Sequence, residues 1–405
     1  MDKINCRYYA TGGGQNYLPE PTIWLAVKDE DAHMLADDVY DAFLLVPLYI
    51  GMYYKQDLHI HGCVSKRLYR NVMNYLQRIL CDYSNNLSRI NIHVDGFKIA
   101  DGEQNIIGTG LSCGVDSLST VYDRFVKEDD PDYRINALFF FNTGWHGDYY
   151  DERTKKLCIN RYSMNKSASD ELGLPLHWIE SNFHAFNAIV VSVTECGGYL
   201  ANYSCVLGIQ KAVRKYYVAS SYSYNEMHMF DRRGGDLSAF AESYMIPLLS
   251  TESVELIVDG CQYERGRKTE NISEWDIAHR YLNPCQSHSN DTDDPHNCSK
   301  CNKCMRTMLT LEIIGKLKYF SGTFDIDVYN KHSFRYKCGT VLERKKDAHK
   351  FENCSLAHKY GFKLPSYFTA YIYLFPSRLK RFTKRTARKL MGERLYESIK
   401  RIMKH

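Results

Sequence analysis

Between a run that reads as a strand and one that reads as a helix stands Leu111-Ser112-Cys113-Gly114-Val115-Asp116-Ser117. Small residues at a strand-to-helix turn let an anion come close to the first backbone N–H groups of the helix, which have no partner within it. Ser112 and Ser117 add hydroxyl donors, and Asp116 can hold a divalent cation that offsets phosphate charge. The chemistry on offer is phosphate binding. It is not that of a Walker P-loop, because no Gly-Lys-Ser/Thr follows. A Ser/Gly-rich turn that only caps a helix has the same local composition.

A second group is Cys285, Cys298, Cys301 and Cys304, spaced C-x12-C-x2-C-x2-C. Short C-x2-C steps present thiolates on a tight turn, and a fourth from across a loop completes the tetrahedron that zinc favours in closed sites. Lys300, Lys303 and Arg306 supply positive charge that favours ionised thiols. An iron–sulfur cluster competes, but its bacterial run wants a further cysteine where Met308 stands. Four unligated thiols are the third possibility. Cys6, Cys63, Cys81, Cys158, Cys196 and Cys205 stand alone and read as small buried hydrophobes.

The first loop resembles the Ser-Gly-Gly-x-Asp-Ser motif of the PP-loop ATP pyrophosphatases, with Cys113 in place of the first glycine. A Cβ disfavours positive φ, so either this position is not left-handed here or the loop differs locally. The order of loop, lysine opening a helix, one cysteine, then C-x2-C-x2-C with an arginine close behind is similar to the 7-cyano-7-deazaguanine synthases. The matching lysine is Lys268, in Arg267-Lys268-Thr269-Glu270-Asn271-Ile272, and the arginine is Arg306. The similarity spans about 106 to 315. The polar first cysteine loop, Gln286 to Asn297, is longer here, and the segments before 103 and after 320 have no counterpart.

The resemblance implies adenylation of a carboxylate, such as a 7-deazaguanine acid, with release of pyrophosphate and capture of the acyl-adenylate by ammonia or an amine. It implies ATP held by Ser112, Cys113, Gly114, Val115, Asp116 and Ser117, Mg²⁺ at Asp116, and zinc on Cys285, Cys298, Cys301 and Cys304. Lys268 would neutralise the α-phosphate or the incoming carboxylate; as a first-turn lysine it could equally be solvated. Conjugation of a nucleobase to a protein in an anti-phage system, tRNA modification, and a non-catalytic nucleotide-binding scaffold are the alternative functions. Among other candidates, Asn142-Thr143-Gly144-Trp145-His146-Gly147-Asp148 and Ser220-Ser221 follow strands and share the loop's sheet edge, while Arg265 and Arg267 either meet phosphate or face water.

These residues need a frame of alternating strands and helices. Ile106 to Leu111 reads as a strand, Asp116 to Val126 as a helix, and Ile135 to Phe141 as a buried strand, since an unbroken apolar run suits a sheet covered on both faces. A helix near Arg153 to Leu172, a strand Leu176 to Ile179, a helix near Tyr199 to Arg214 and a strand Tyr216 to Ser220 continue the pattern. The expected fold is α/β, a doubly wound parallel sheet spanning residues 104–318, and the resemblance implies that it is of the adenine nucleotide alpha hydrolase type. Residues 1–103, with strands at Thr22 to Val27 and Ile90 to Val94 and a helix from Ser65 to about Cys81, read as a small α+β domain of unknown role. Leu68, Val72, Leu76 and Ile79 form its helical stripe. Ala42 to Met52 reads as a buried core segment. His59 and His61 at strand spacing permit a metal pair, though such pairs are usually without function.

Residues 319–405 are expected to form an extension with a basic helical tail. Arg378 to Lys404 holds eleven basic residues against Glu393 and Glu397, net +9, which leaves −5 for the rest of a chain whose total is +4. A nucleic-acid surface across the core is therefore not indicated by charge. The tail's apolar residues, among them Leu379 and Phe382, suit two helical pieces broken near Gly392. An acidic protein, RNA or an anionic membrane surface would each suit this pattern, as would packing on its own domain. The N-terminal domain and the tail are the expected docking surfaces for a protein partner, and a homodimer is compatible with the chain. At 405 residues, with 44% hydrophobic and 25% charged, the composition excludes a disordered or fibrous protein. The N-terminus carries no secretory pattern, no run is long enough for a transmembrane segment, and fourteen cysteines without export point to metal rather than disulfides. A cytoplasmic location is expected.

Overall fold

A computed structural model describes residues 1–7, 22–144, 151–183, 185–186, 200–229, 242–285, 296–376 and 379. The expected tail helices and Trp145 to Asp148 lie outside them. The strands are β1 (Asp2–Arg7), β2 (Thr22–Val27), β3 (Leu58–Val64), β4 (Ile92–Phe97), β5 (Ile106–Gly110), β6 (Ala137–Asn142), β7 (Leu176–Ser181), β8 (Val213–Ala219) and β9 (Glu255–Asp259). Seven of these form one sheet in the order β1-β2-β7-β6-β5-β8-β9. Strands β5 to β9 are mutually parallel, while β2 pairs antiparallel with both β7 and β1. The protein is thus α/β with a largely parallel sheet, an arrangement compatible with a doubly wound fold. The chain runs outward from β5 through β6 to β7, then returns to β8 and β9 on the other side of β5. The order reverses between β5 and β8, the position at which open α/β sheets generally bind ligands.

Apolar runs explain the central strands. In β6, Ala137 to Phe140 are all buried, as a strand covered on both faces requires. Helix α1 (Leu45–Tyr54) carries the apolar segment expected to be core, and nearly all of it is buried. Helix α2 (Lys66–Asn71) runs through a π turn (Val72–Leu76) into α3 (Gln77–Tyr83). The wider turn admits an extra residue and shifts the stripe. Leu68, Val72 and Leu76 are buried as expected, but the next core residue is Leu80, and Ile79 is only half-buried. Strands β3 and β4 form a separate parallel pair, on which His59 stacks against His93 at 4.4 Å. His59 and His61 are both exposed there.

The helices that position the loop are α4 (Val115–Val121), which follows β5 and continues as a π turn to Val126, and α5 (Glu152–Leu172), capped by Asp151. Next come α6 (Leu200–Gly208), α7 (Tyr224–Met229), α8 (Arg265–Ile272) and α9 (Asp276–Tyr281). The expected helix through Arg214 stops at Gly208, and a turn at 209–212 leads into β8.

The chain divides into two compact units, Met1–Cys298 and Ser299–His405. The second unit contains α10 (Asn302–Ile313), α11 (Ile326–Glu343), α12 (Ala348–Lys359) and a helix at 367–376. Asp325 and Asp347 cap α11 and α12 by accepting from Val328 N and Lys350 N. Among the described residues no helix is long and apolar enough to cross a membrane.

Candidate functional site

The loop after β5 turns into its helix through a left-handed residue. Cys113 takes φ 55°, in the left-handed region, and Gly114 is extended at φ −74°, ψ 168° before α4 begins. The first of the two alternatives for Cys113 is therefore excluded: the position is left-handed, and cysteine occupies it at a cost of about 1–3 kcal/mol. Neighbouring groups hold the loop in place. Asn283 N donates to Cys113 O at 2.6 Å, and Asn165 Nδ2 donates to Leu111 O at 2.8 Å. The Cys113 side chain is fully buried, and burial pushes its thiol up to about 12, so it is not a nucleophile at neutral pH. Ser112 Oγ accepts from Gly114 N at 3.3 Å and lies 3.1 Å from Ser117 Oγ, so both hydroxyls sit at the helix entrance.

Asp116, in the first turn of α4, meets two cations carried by α8. Arg265 Nη1 donates to its Oδ2 at 2.6 Å, and Lys268 Nζ stands 3.6 Å from Oδ1. Their side chains are nearly enclosed, with exposures of 9% for Arg265, 17% for Asp116 and 1% for Lys268. Two cationic heads thus face the Asp116 carboxylate, and Lys268 is also attracted to the buried Glu226. Within this cluster two buried side-chain atoms have no hydrogen-bond partner among the described residues, Asp116 Oδ1 and Arg265 Nε. The open carboxylate oxygen is a hard donor of the type Mg²⁺ takes, and the open N–H suits an anion.

Strand ends fix the lysine. Its Nζ donates to Ser220 O at 2.6 Å and Ser220 Oγ at 3.1 Å, just past β8. Gly260, just past β9, takes φ +86°, and a Cβ there would stand 3.1 Å from Lys268 Cε and 3.2 Å from Nζ. The positive φ favours glycine here, and a Cβ would press on the lysine head. Asp259 ties β9 back to α4, accepting from Thr120 Oγ1 at 2.9 Å and Arg124 Nε at 2.9 Å. A further carboxyl, Glu226, is buried; burial raises its pKa although Ser223 donates to it and Lys268 attracts its charge.

Sequence reasoning singled out Asp116 and Lys268, and the structure brings them together. It left Arg265 undecided and gave no role to Gly260. The signal for Arg265 was available: residues i and i+3 share a helix face, whereas Arg267 lies about 200° from Arg265. Arg267 indeed turns outward to Glu270 at 2.6 Å. Ser220 joins the cluster, whereas Asn142 and Thr143 pair with Glu180 and Asn202.

The sulfur atoms of Cys285, Cys298, Cys301 and Cys304 lie within 4.8 Å of one another, a set that could hold a metal ion such as zinc. Ser299 supplies the tight turn with φ 54°, and Cys301 caps α10 by accepting from Cys304 N at 3.5 Å. Cys298 N similarly donates to Cys285 Sγ at 3.5 Å. Amide donors and a helix N-terminus both favour thiolate over thiol. Arg161 of α5, which sequence reasoning missed, donates to Cys285 O at 3.5 Å, and burial lowers its pKa against the attraction of the cysteine sulfurs. Scans against protein-family models and searches of curated proteins and of solved structures found no match to the chain.

Proposed function

We propose that the chain is an ATP pyrophosphatase of the PP-loop kind, built on a doubly wound sheet of the adenine nucleotide alpha hydrolase type, that adenylates a carboxylate. The observation that carries this reading is the meeting of Asp116, Arg265 and Lys268 at the ends of β5, β8 and β9, beside a left-handed loop residue. Buried cations and free helix N–H groups at a topological switch point suit a polyphosphate.

In this reading the N–H groups of the 112–117 loop and the guanidinium of Arg265 hold the β and γ phosphates, and Lys268 faces the α phosphate. A carboxylate oxygen attacks the α phosphorus, the bond to the bridging oxygen breaks, and its electron pair leaves with pyrophosphate. Donors fixed beforehand stabilise that charge as it develops, at no reorganisation cost during the step. Mg²⁺ bound at Asp116 would add Lewis-acid neutralisation of the leaving group. Ammonia or an amine then displaces AMP from the acyl-adenylate. The four cysteines fit a structural zinc with no open position for substrate.

The substrate proposed is a 7-deazaguanine acid, on the resemblance alone. Incubation with MgATP and candidate acids should yield AMP and pyrophosphate; ADP with phosphate as the sole products would sink the reading. A conjugating enzyme would differ by leaving a nucleobase mass on a protein amine. Biological activity retained by Asp116→Ala would favour a non-catalytic scaffold.

A further inference from the structure

Helix 367–376 is apolar around most of its circumference yet buries a single face. Ala370 and Leu374, one turn apart, pack with Cys338 and Val341 of α11. Tyr367, Phe368, Tyr371, Ile372 and Phe375 stay exposed, Phe368 to 73%. Phe334 of α11 widens the patch, 45% exposed with its ring 4.9 Å from that of Tyr373. A contiguous aromatic surface of this kind marks a place of interaction.

The sequence around the patch says what it meets. No acidic residue stands between Glu352 and Glu393, while nine lysines and arginines do, seven of them from Arg378 to Lys389. The exposed rings of the helix at 367–376 stand in a stretch with no lysine or arginine, and the basic run, which includes Leu379 and Phe382, follows it. A stacking platform for single-stranded RNA places cations among its aromatics to meet the phosphates. A lipid interface asks for the observed separation, with aromatic rings at headgroup depth and a polybasic segment on the charged surface.

We infer that this surface docks the protein on an anionic phospholipid bilayer. The contact we infer is interfacial: among the described residues no helix is long and apolar enough to cross a membrane. Neither arm suffices alone, since stable attachment takes an apolar insertion and a basic patch together. Each basic residue near an anionic surface strengthens binding about five-fold, an attraction that salt screens.

The test is flotation of the full-length protein with vesicles of phosphatidylcholine, with and without phosphatidylserine. It should float with the anionic vesicles only, and less at high salt. Phe368→Ser with Ile372→Ser removes two exposed apolar side chains without touching the buried face, and should weaken binding by on the order of ten-fold. Lys384→Glu with Arg385→Glu should weaken it by about 25-fold or more. If the charge variant fails to fold, the salt series on the unaltered protein tests the same arm. Equal binding to neutral vesicles, no binding to either, or full affinity in the Phe368/Ile372 variant would overturn the inference. So would a single-stranded RNA of mixed sequence that binds more tightly than the vesicles and strips the protein from them.

Discussion

Replacing Asp116 by Asn preserves shape and removes one negative charge from between two buried cations. At separations of 2.6 and 3.6 Å and an effective dielectric near 20, the gross attractions are about 6 and about 5 kcal/mol. Desolvation offsets much of that, and removing one partner of a buried pair costs about 3–5 kcal/mol. The lower end applies here, because Asp116 is 17% exposed and Lys268 keeps its bonds to Ser220. A loss of about 3 kcal/mol should lower the melting midpoint of the first unit by roughly 5 °C. Inorganic pyrophosphate should then restore more in the variant than in the unaltered protein, since the cluster has lost one of the negative charges that oppose its two cations. At a hundred times its dissociation constant, a ligand specific to the folded state adds about 2.7 kcal/mol. Scanning calorimetry with and without pyrophosphate, paired with an AMP-release assay, reads both effects. A variant that melts with the parent, or melting curves that pyrophosphate shifts in neither protein, would refute the assignment of this cluster as an anion site.

Elemental analysis should find about one zinc per chain, lost along with soluble protein in Cys298→Ser or Cys301→Ser, because a closed site contributes directly to folding free energy; a brown protein containing iron and sulfide would replace zinc with a cluster. Gly260→Ala should cost about 2–3 kcal/mol and displace the Lys268 head, lowering turnover by about 10- to 100-fold. Gly173→Ala is its control, since Gly173 at φ +69° has nothing within 4 Å; it should cost about 1 kcal/mol with turnover unchanged. Asp41 is fully buried and accepts from Ser65 N and Oγ and from Gln210 Nε2; burial raises its pKa above 3.8. A carboxyl with a raised folded value contributes stability that is present below its unfolded value and lost as pH climbs through the folded one. Denaturant midpoints should therefore shift in favour of Asp41→Asn relative to the parent as pH rises through that window, and a difference independent of pH would refute the direction.

Short-range physics wrote much of this molecule into its sequence. The buried runs at Ala137 to Phe140 and in α1, the helix behind Asp151, the small-residue turn at 112–117 and the spacing of four cysteines all depend on neighbours a few residues away. Periodicity and turn chemistry report such neighbours directly. Only the tertiary structure decided the rest. Strand β9 went unread because its five residues carry too little pattern, and β1 and β2 gave no sign that they would extend the sheet beside β7. Arg265 lies 149 residues from Asp116 along the chain, and its pairing exists only because β5, β8 and β9 end side by side. The left-handed turn at Cys113 ran against the local preference of a residue with a Cβ, held by Asn283 and Asn165 from distant segments. Local preferences amount to a few tenths to about one kcal/mol per residue, so packing and long-range hydrogen bonds can override them at the few positions where a site is assembled.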